Sequence, residues 1–203
     1  MKIQWSLLRQ RLREDILALP HFFRNPVQFM RNLPDWEWPT ILILQGAFAI
    51  FCSLLANFIE RDYFGLITGI VVAPIMNYLL AAVAAGFFHY LFLFVFKREI
   101  TYRKVYIHVL FASVPLCIVS TIAFLLPPLI LLGMAAGLML LFVGFVDNYQ
   151  IPRKPLSRIL FTILAVHLVY WGYQQFQVTS RHKSSHQRAT PESLDILEKE
   201  LNE

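Results

Sequence analysis

Charge is what this sequence has least of. Lys, Arg, Asp and Glu make up 15% of its 203 residues, against roughly 25% in an ordinary globular domain. Residues 40–59, 66–96, 106–126, 129–146 and 159–176 hold no charged side chain at all. A soluble core of this size has no room for so many uninterrupted apolar segments, and runs of 18 residues or more without charge are the mark of membrane spans. The same scarcity counts against an ion-coupled or proton-coupled carrier, which keeps an ionisable group at depth. Cysteine is scarce too. Cys52 and Cys117 both lie inside apolar runs, so a structural disulfide is not expected. The chain has no Walker loop, zinc-protease motif, nucleophile elbow or pair of catalytic carboxylates. No enzymatic activity, metal or cofactor is expected. Nor does any stripe of Lys and Arg interleave with aromatics, which argues against nucleic acid.

What is abundant is apolar: 57% of the chain, with eighteen Phe. The expected fold is all-α, a polytopic transmembrane helix bundle with five spans and an amphipathic N-terminal helix. Residues 1–38 read as a cytoplasmic N-terminal segment, 39–176 as the five-span domain and 177–203 as a polar C-terminal tail. The start does not read as a signal peptide, because it lacks a continuous apolar core and a small-residue cleavage site. In residues 3–19, Trp5, Leu8, Leu12, Ile16 and Leu19 share one helical face, opposite Lys2, Arg9, Arg11 and Arg13. Such a helix can lie in the headgroup plane. Pro20, Pro26 and Pro34 then divide the chain, and Trp36 and Trp38 mark a membrane–water interface.

The spans are expected over Thr40–Ile59, Leu66–Phe96, Tyr106–Leu126, Leu129–Val146 and Ile159–Tyr173, the last extended to Phe176 and the weakest of the five. The second is long enough to need tilt, a kink at Pro74 or protrusion into the cytoplasm. The third and fourth form a hairpin with almost no loop, closed at Asp147 and Asn148. The polar stretch 178–190 reads as flexible, and Thr190-Pro191 opens a short helical pattern. Alternating the loops puts thirteen Lys and Arg on one side and five on the other. The basic side is cytoplasmic, so the N-terminus is inside and the C-terminus outside.

Polar groups in the spans are the candidates for function, because burying one unpaired is costly. They are Gln45, Asn57, Asn77, His89, His108 and His167. Asn77 follows Pro74 in the second span and either bonds to a neighbouring helix, the commoner use, or lines a cavity. Pro115 interrupts the third span. Gly133 and Gly137 form a Gly-x-x-x-Gly pair in the fourth and Gly65 and Gly69 another in the second, spacings that let helix backbones approach closely. His89, His108 and Asp147 fall in the cytoplasmic third of their spans and could converge as a polar cluster, a metal or proton site; the plainer reading is that each sits near the interface and hydrogen-bonds to water, Tyr or a backbone carbonyl. His182 and His186 have metal-like spacing but sit in a polar linker.

The order of features is similar to that of a known family. Asn25-Pro-Val-Gln-Phe-Met-Arg-Asn-Leu-Pro34 resembles the N-P-x-x-F-[FM]-x-x-L segment that opens prokaryotic members of the Yip family (Ypt/Rab-interacting protein domain). Ile100-Thr-Tyr-Arg-Lys-Val-Tyr-Ile-His-Val-Leu-Phe-Ala-Ser-Val-Pro115 resembles that family's third span, with an aromatic and basic lead-in and a mid-span Pro. The likeness covers about residues 20–176. It implies five spans, a cytoplasmic N-terminus and no known catalytic activity. Eukaryotic members are associated with Rab GTPases and vesicle traffic. This chain has neither the long N-terminal region of many of those nor their Asp-Leu-Tyr-Gly-Pro motif, so Rab GTPase binding is not expected. The function that fits is a membrane scaffold or interaction protein of a bacterial inner membrane, whose partners are the lipid bilayer and membrane proteins or further copies of itself. The alternative is a small-solute transporter or channel.

Overall fold

The computed structural model describes residues 19–60, 63–123 and 125–186. The elements are α1 (Pro26–Arg31), α2 (Trp38–Glu60), α3 (Tyr63–Phe94), α4 (Tyr102–Ser120), α5 (Leu129–Tyr149) and α6 (Arg153–His186). Residues 19–24 are also helical, and no strand occurs among the described residues. Five of the helices, α2 to α6, contain stretches long and apolar enough to cross a membrane. The all-α membrane architecture is therefore as expected. The amphipathic pattern of residues 3–18 and the pattern after Thr190 lie outside the described residues.

Several boundaries differ from the sequence reading. The third span begins one turn earlier, at Tyr102, and stops at Ser120 instead of Leu126. There the Ser120 and Thr121 hydroxyls donate to the Cys117 and Ile118 carbonyls at 2.7 Å each. Such back-bonding competes with the helical ladder. The following Pro127 and Pro128 disfavour helix for the residue before them. The third and fourth spans are thus separated by eight residues, 121–128, and those of them that are described are mostly turns. The fourth span runs on to Tyr149, so Asp147 and Asn148 lie in its last turn and do not close it. The helix of the fifth span, α6, starts at Arg153 and continues to His186, so 178–186 is helical where a flexible tail was expected. Lys and Arg also enter the first turns of two spans, at Arg103, Lys104, Arg153 and Lys154, with Arg158 one turn further in.

The chain divides into two compact units, Met1–Leu160 and Phe161–Glu203. In the second, α6 carries the rest of the fifth span, which has the lowest mean hydropathy of the five. In the first, α2 packs on α3, α3 and α2 pack on α4, α4 packs on α5, and α1 packs on α5. α3 is one unbroken helix of 32 residues through Pro74, about 48 Å long. Its Ala81, Ala85, Phe88 and Phe92 are buried. Ile75, Leu79, Val83 and Phe87 form the opposite, exposed face. Spacings of three and four keep each set on one side.

α4 is different. Val105 to Ala112 are buried without interruption, so that stretch is enclosed on all sides. Phe111 is its hub: the rings of Phe29, Phe22 and Trp36 lie 4.8, 5.2 and 5.2 Å from it. The N-terminal segment is thereby folded over the same end of the bundle that carries the α3–α4 and α5–α6 links. Arg31 pairs with Asp147 at 2.7 Å and Arg103 with Asp35 at 2.8 Å. Lys97 and Gln150, one in each link, take left-handed backbone at φ 52° and 51°, which turns the chain sharply after α3 and α5.

The segment that opens with Asn25-Pro26 has a local explanation. Asn25 is the N-cap of α1, its Oδ1 accepting from the Gln28 backbone N–H at 3.2 Å. Pro26 occupies the first helical position, where its missing N–H costs nothing. Gln28 answers through its side chain, Oε1 accepting from Asn25 Nδ2 at 3.1 Å. Asn25→Ala is expected to cost about 1 kcal/mol and Asn25→Asp much less. Thermal unfolding of the two variants in detergent checks this; equal losses would argue against capping.

Candidate functional site

Two polar constellations form in the first unit. The first lies within the candidate spans. Gln45 on α2 is 1% exposed and Tyr106 on α4 3%. Gln45 Nε2 donates to Asn77 Oδ1 at 2.7 Å and to the Asn77 carbonyl at 3.2 Å. Tyr106 Oη donates to Gln45 Oε1 at 2.6 Å. Asn77 Nδ2 reaches Cys117 Sγ at 3.8 Å. One chain of bonds therefore ties α2, α3 and α4. One helical position beyond Asn77, Tyr78 Oη donates to the Leu42 carbonyl at 2.5 Å, beside Gly46, where a Cβ would overlap that hydroxyl.

The glycine pair of the fourth span serves packing inside the chain. A Cβ at Gly137 would collide with the Ala112 carbonyl oxygen, and one at Gly133 would press on Leu116 Cα and the Pro115 carbonyl. Pro115, Gly133 and Gly137 thus meet at the α4–α5 contact. Gly69 packs similarly against Ser53 and Asn57 of α2. Asn57 bonds back to the Ser53 carbonyl at 2.8 Å.

The second constellation lies where α4 begins and α5 ends. His108 is 1% exposed. Its Nδ1 is 2.8 Å from the Lys104 carbonyl, which can only accept, so Nδ1 carries the proton. Nε2 is then the acceptor for Asn148 Nδ2 at 3.2 Å. Asn148 Nδ2 also donates to the carbonyls of Met30 at 2.6 Å and Gly144 at 2.8 Å. Gly144 lets His108 approach, since a Cβ there would meet Cδ2 of the ring. Tyr149 Oη is 3.3 Å from His108 Nδ1. Because Nδ1 is a donor, that contact uses the tyrosine oxygen as acceptor and leaves its own hydrogen unspent. A cleft of about 180 Å³ opens here between the N-terminal segment and the two helices, lined by Asp35, Lys104, Ile107, His108, Asn148 and Tyr149 among others.

The three members of the anticipated polar cluster have separate partners. His108 belongs to the cleft. Asp147, one position before Asn148, turns to Arg31. His89 stands edge-on to Tyr102, ring centroids 5.8 Å apart, and its Nδ1 is buried with no hydrogen-bond partner. Among the described residues no three His, Cys, Asp or Glu side chains come together as a metal site; His182 and His186 lie outside the described side chains. Asn148, Tyr149, Asp35 and Lys104 were not singled out from the sequence. Their one signal is position, polar groups at the ends of spans.

The family model for the Yip1 domain matches residues 21–173. No curated protein and no solved structure matches the chain.

Proposed function

The chain belongs to the Yip1 domain family, and from that premise we propose that it is a non-catalytic scaffold or interaction protein of a bacterial inner membrane. The observation that carries this reading is the use made of the polar groups within the spans. Both ends of the Gln45 amide and both ends of the Asn77 amide are engaged by other helices of the bundle. A group satisfied by its neighbours specifies helix register; a solute path would present it to a lumen. The proposed partners are the bilayer and other membrane proteins or copies of this chain.

The transporter alternative rests on Pro74 and Asn77 at mid-depth, and Asn77→Leu separates the two. The bundle is expected to stay folded, losing about 1 kcal/mol, because Gln45 keeps the Asn77 carbonyl. Reconstituted vesicles are expected to admit glycerol and other small solutes no faster with the native chain than with the variant. Solute flux through the native protein that Asn77→Leu abolishes would overturn the scaffold reading.

For sidedness we propose a cytoplasmic N-terminus and an external C-terminus. The support is that α1, the α3–α4 link with the first turn of α4, and the α5–α6 link with the first turn of α6, which carry Arg31, Lys97, Arg98, Arg103, Lys104, Arg153 and Lys154, gather at one end. Loops so enriched in Lys and Arg stay inside. A reporter pair fused after Glu203 is expected to signal from outside; a cytoplasmic signal would exclude five crossings.

A further inference from the structure

The cleft at the shared end of α4 and α5 has a volume of about 180 Å³, equivalent to about six waters of liquid. Its inventory is specific. The Asn148 amide nitrogen serves three acceptors with two hydrogens, so it has none to offer. His108 is spent at both ring nitrogens. Asp35 is paired with Arg103, which offsets the one negative charge in the lining. Two groups are left over: the Lys104 ammonium, which has no ion-pair partner among the described residues, and the Tyr149 O–H. An unpaired, solvent-exposed cation and a hydroxyl with its hydrogen free, both lining one cleft, suit an anionic oxygen.

Depth narrows the ligand. Lys104 lies in the first turn of one candidate span, Tyr102–Ser120, and Tyr149 is the last residue of another. Trp38 stacks on Tyr102 at 6.0 Å and meets Tyr106 edge-on at 5.3 Å, an aromatic arrangement of the kind that sits at headgroup level. We propose that this cleft binds a phosphate monoanion, with Lys104 supplying the charge and Tyr149 Oη the directed hydrogen bond. The phosphodiester of an anionic lipid headgroup is the source that the depth favours. This site goes beyond the scaffold reading and does not depend on it: a chain that conducts solute can still hold the phosphate, and a scaffold can lack it.

The test uses the full chain in nanodiscs of phosphatidylcholine with increasing phosphatidylglycerol, reading thermal unfolding and retained lipid by native mass spectrometry, since a ligand that binds only the folded state raises its melting temperature. Lys104→Gln is expected to weaken phosphatidylglycerol about tenfold and Tyr149→Phe about threefold, sizes typical of a charge-assisted and a neutral hydrogen bond. Arg153→Gln, a basic residue at the same end but outside the cleft lining, is expected to bind as the native chain does. Tyr149→Phe keeps the ring against His108, so a folding defect does not confuse it. Protection by inorganic phosphate in detergent, equally dependent on Lys104, would support the phosphate site and assign it to a free anion. Protection by neither ligand, or equal losses in Lys104→Gln and Arg153→Gln, would overturn the proposal.

Discussion

Phe111→Ala is expected to release the N-terminal segment from the bundle. Three aromatic rings, from Phe22, Phe29 and Trp36, converge on a side chain that is 1% exposed. Truncating it leaves a cavity that those rings cannot all fill, and Phe→Ala at buried sites costs about 3–5 kcal/mol. Most of that loss is dispersion contact, because a span gains little hydrophobic energy from leaving lipid. The weakening is local, since the α2–α3 contact does not involve this ring. Trypsin should therefore cut at Arg24 and Arg31 much faster in the variant than in the native chain, before the spans unfold. Phe111→Leu should show a smaller version of both effects. An unchanged tryptic pattern with an unchanged melting temperature would show that the segment is held by its ion pairs instead.

A second large effect is expected at Gly137. The α5 backbone lies so close to α4 there that an added methyl would strike the Ala112 carbonyl oxygen. Backbone cannot rotate away as a side chain can, so Gly137→Ala should cost about 1–3 kcal/mol, and Gly137→Leu should prevent the two helices from meeting. Gly133→Ala meets its neighbours less tightly and should cost less. Gly86 is the control: nothing lies within 4 Å of its added Cβ. Gly86→Ala should be neutral or stabilising by up to about 1 kcal/mol. Unfolding of the four variants in mixed detergent orders them; equal effects at Gly86 and Gly137 would sink the close-approach argument.

The existence of the spans was legible because lipid demands unbroken apolar length, and the runs without charge mark it. Which residues lie inside the bundle was not legible. In water a buried Ile and an exposed Lys differ in kind, but in lipid both faces of a helix are apolar. Ile107 is 1% exposed and Ile75 59%, and nothing in their identity tells them apart. That is why the enclosed position of α4 emerges only from the packing. Polar residues are more informative. Gln45 and Asn77 stood out in the sequence, but their pairing across 32 residues did not. At the α4–α5 end, the sequence reading grouped Asp147 with His108. Successive helical residues point about 100° apart, and that rotation sends Asp147 to Arg31 and Asn148 to His108. The Asn25-Pro26 segment was visible as a family likeness, and its cap and its Phe29 contact supply physical reasons for those residue types.

The bond between the Met30 carbonyl and Asn148 spans 118 residues, and that separation sets a clock. A ribosome adds about 5–20 residues each second, so Met30 waits roughly 6–24 s for its partner to be made. Over that interval Phe22, Phe29 and Trp36 have no Phe111 for most of the wait, and no α5 for all of it. The membrane surface is the one apolar phase within their reach. The nascent segment can therefore gain its Phe111 contacts only once α4 is made, and its bond to Asn148 only once α5 is complete.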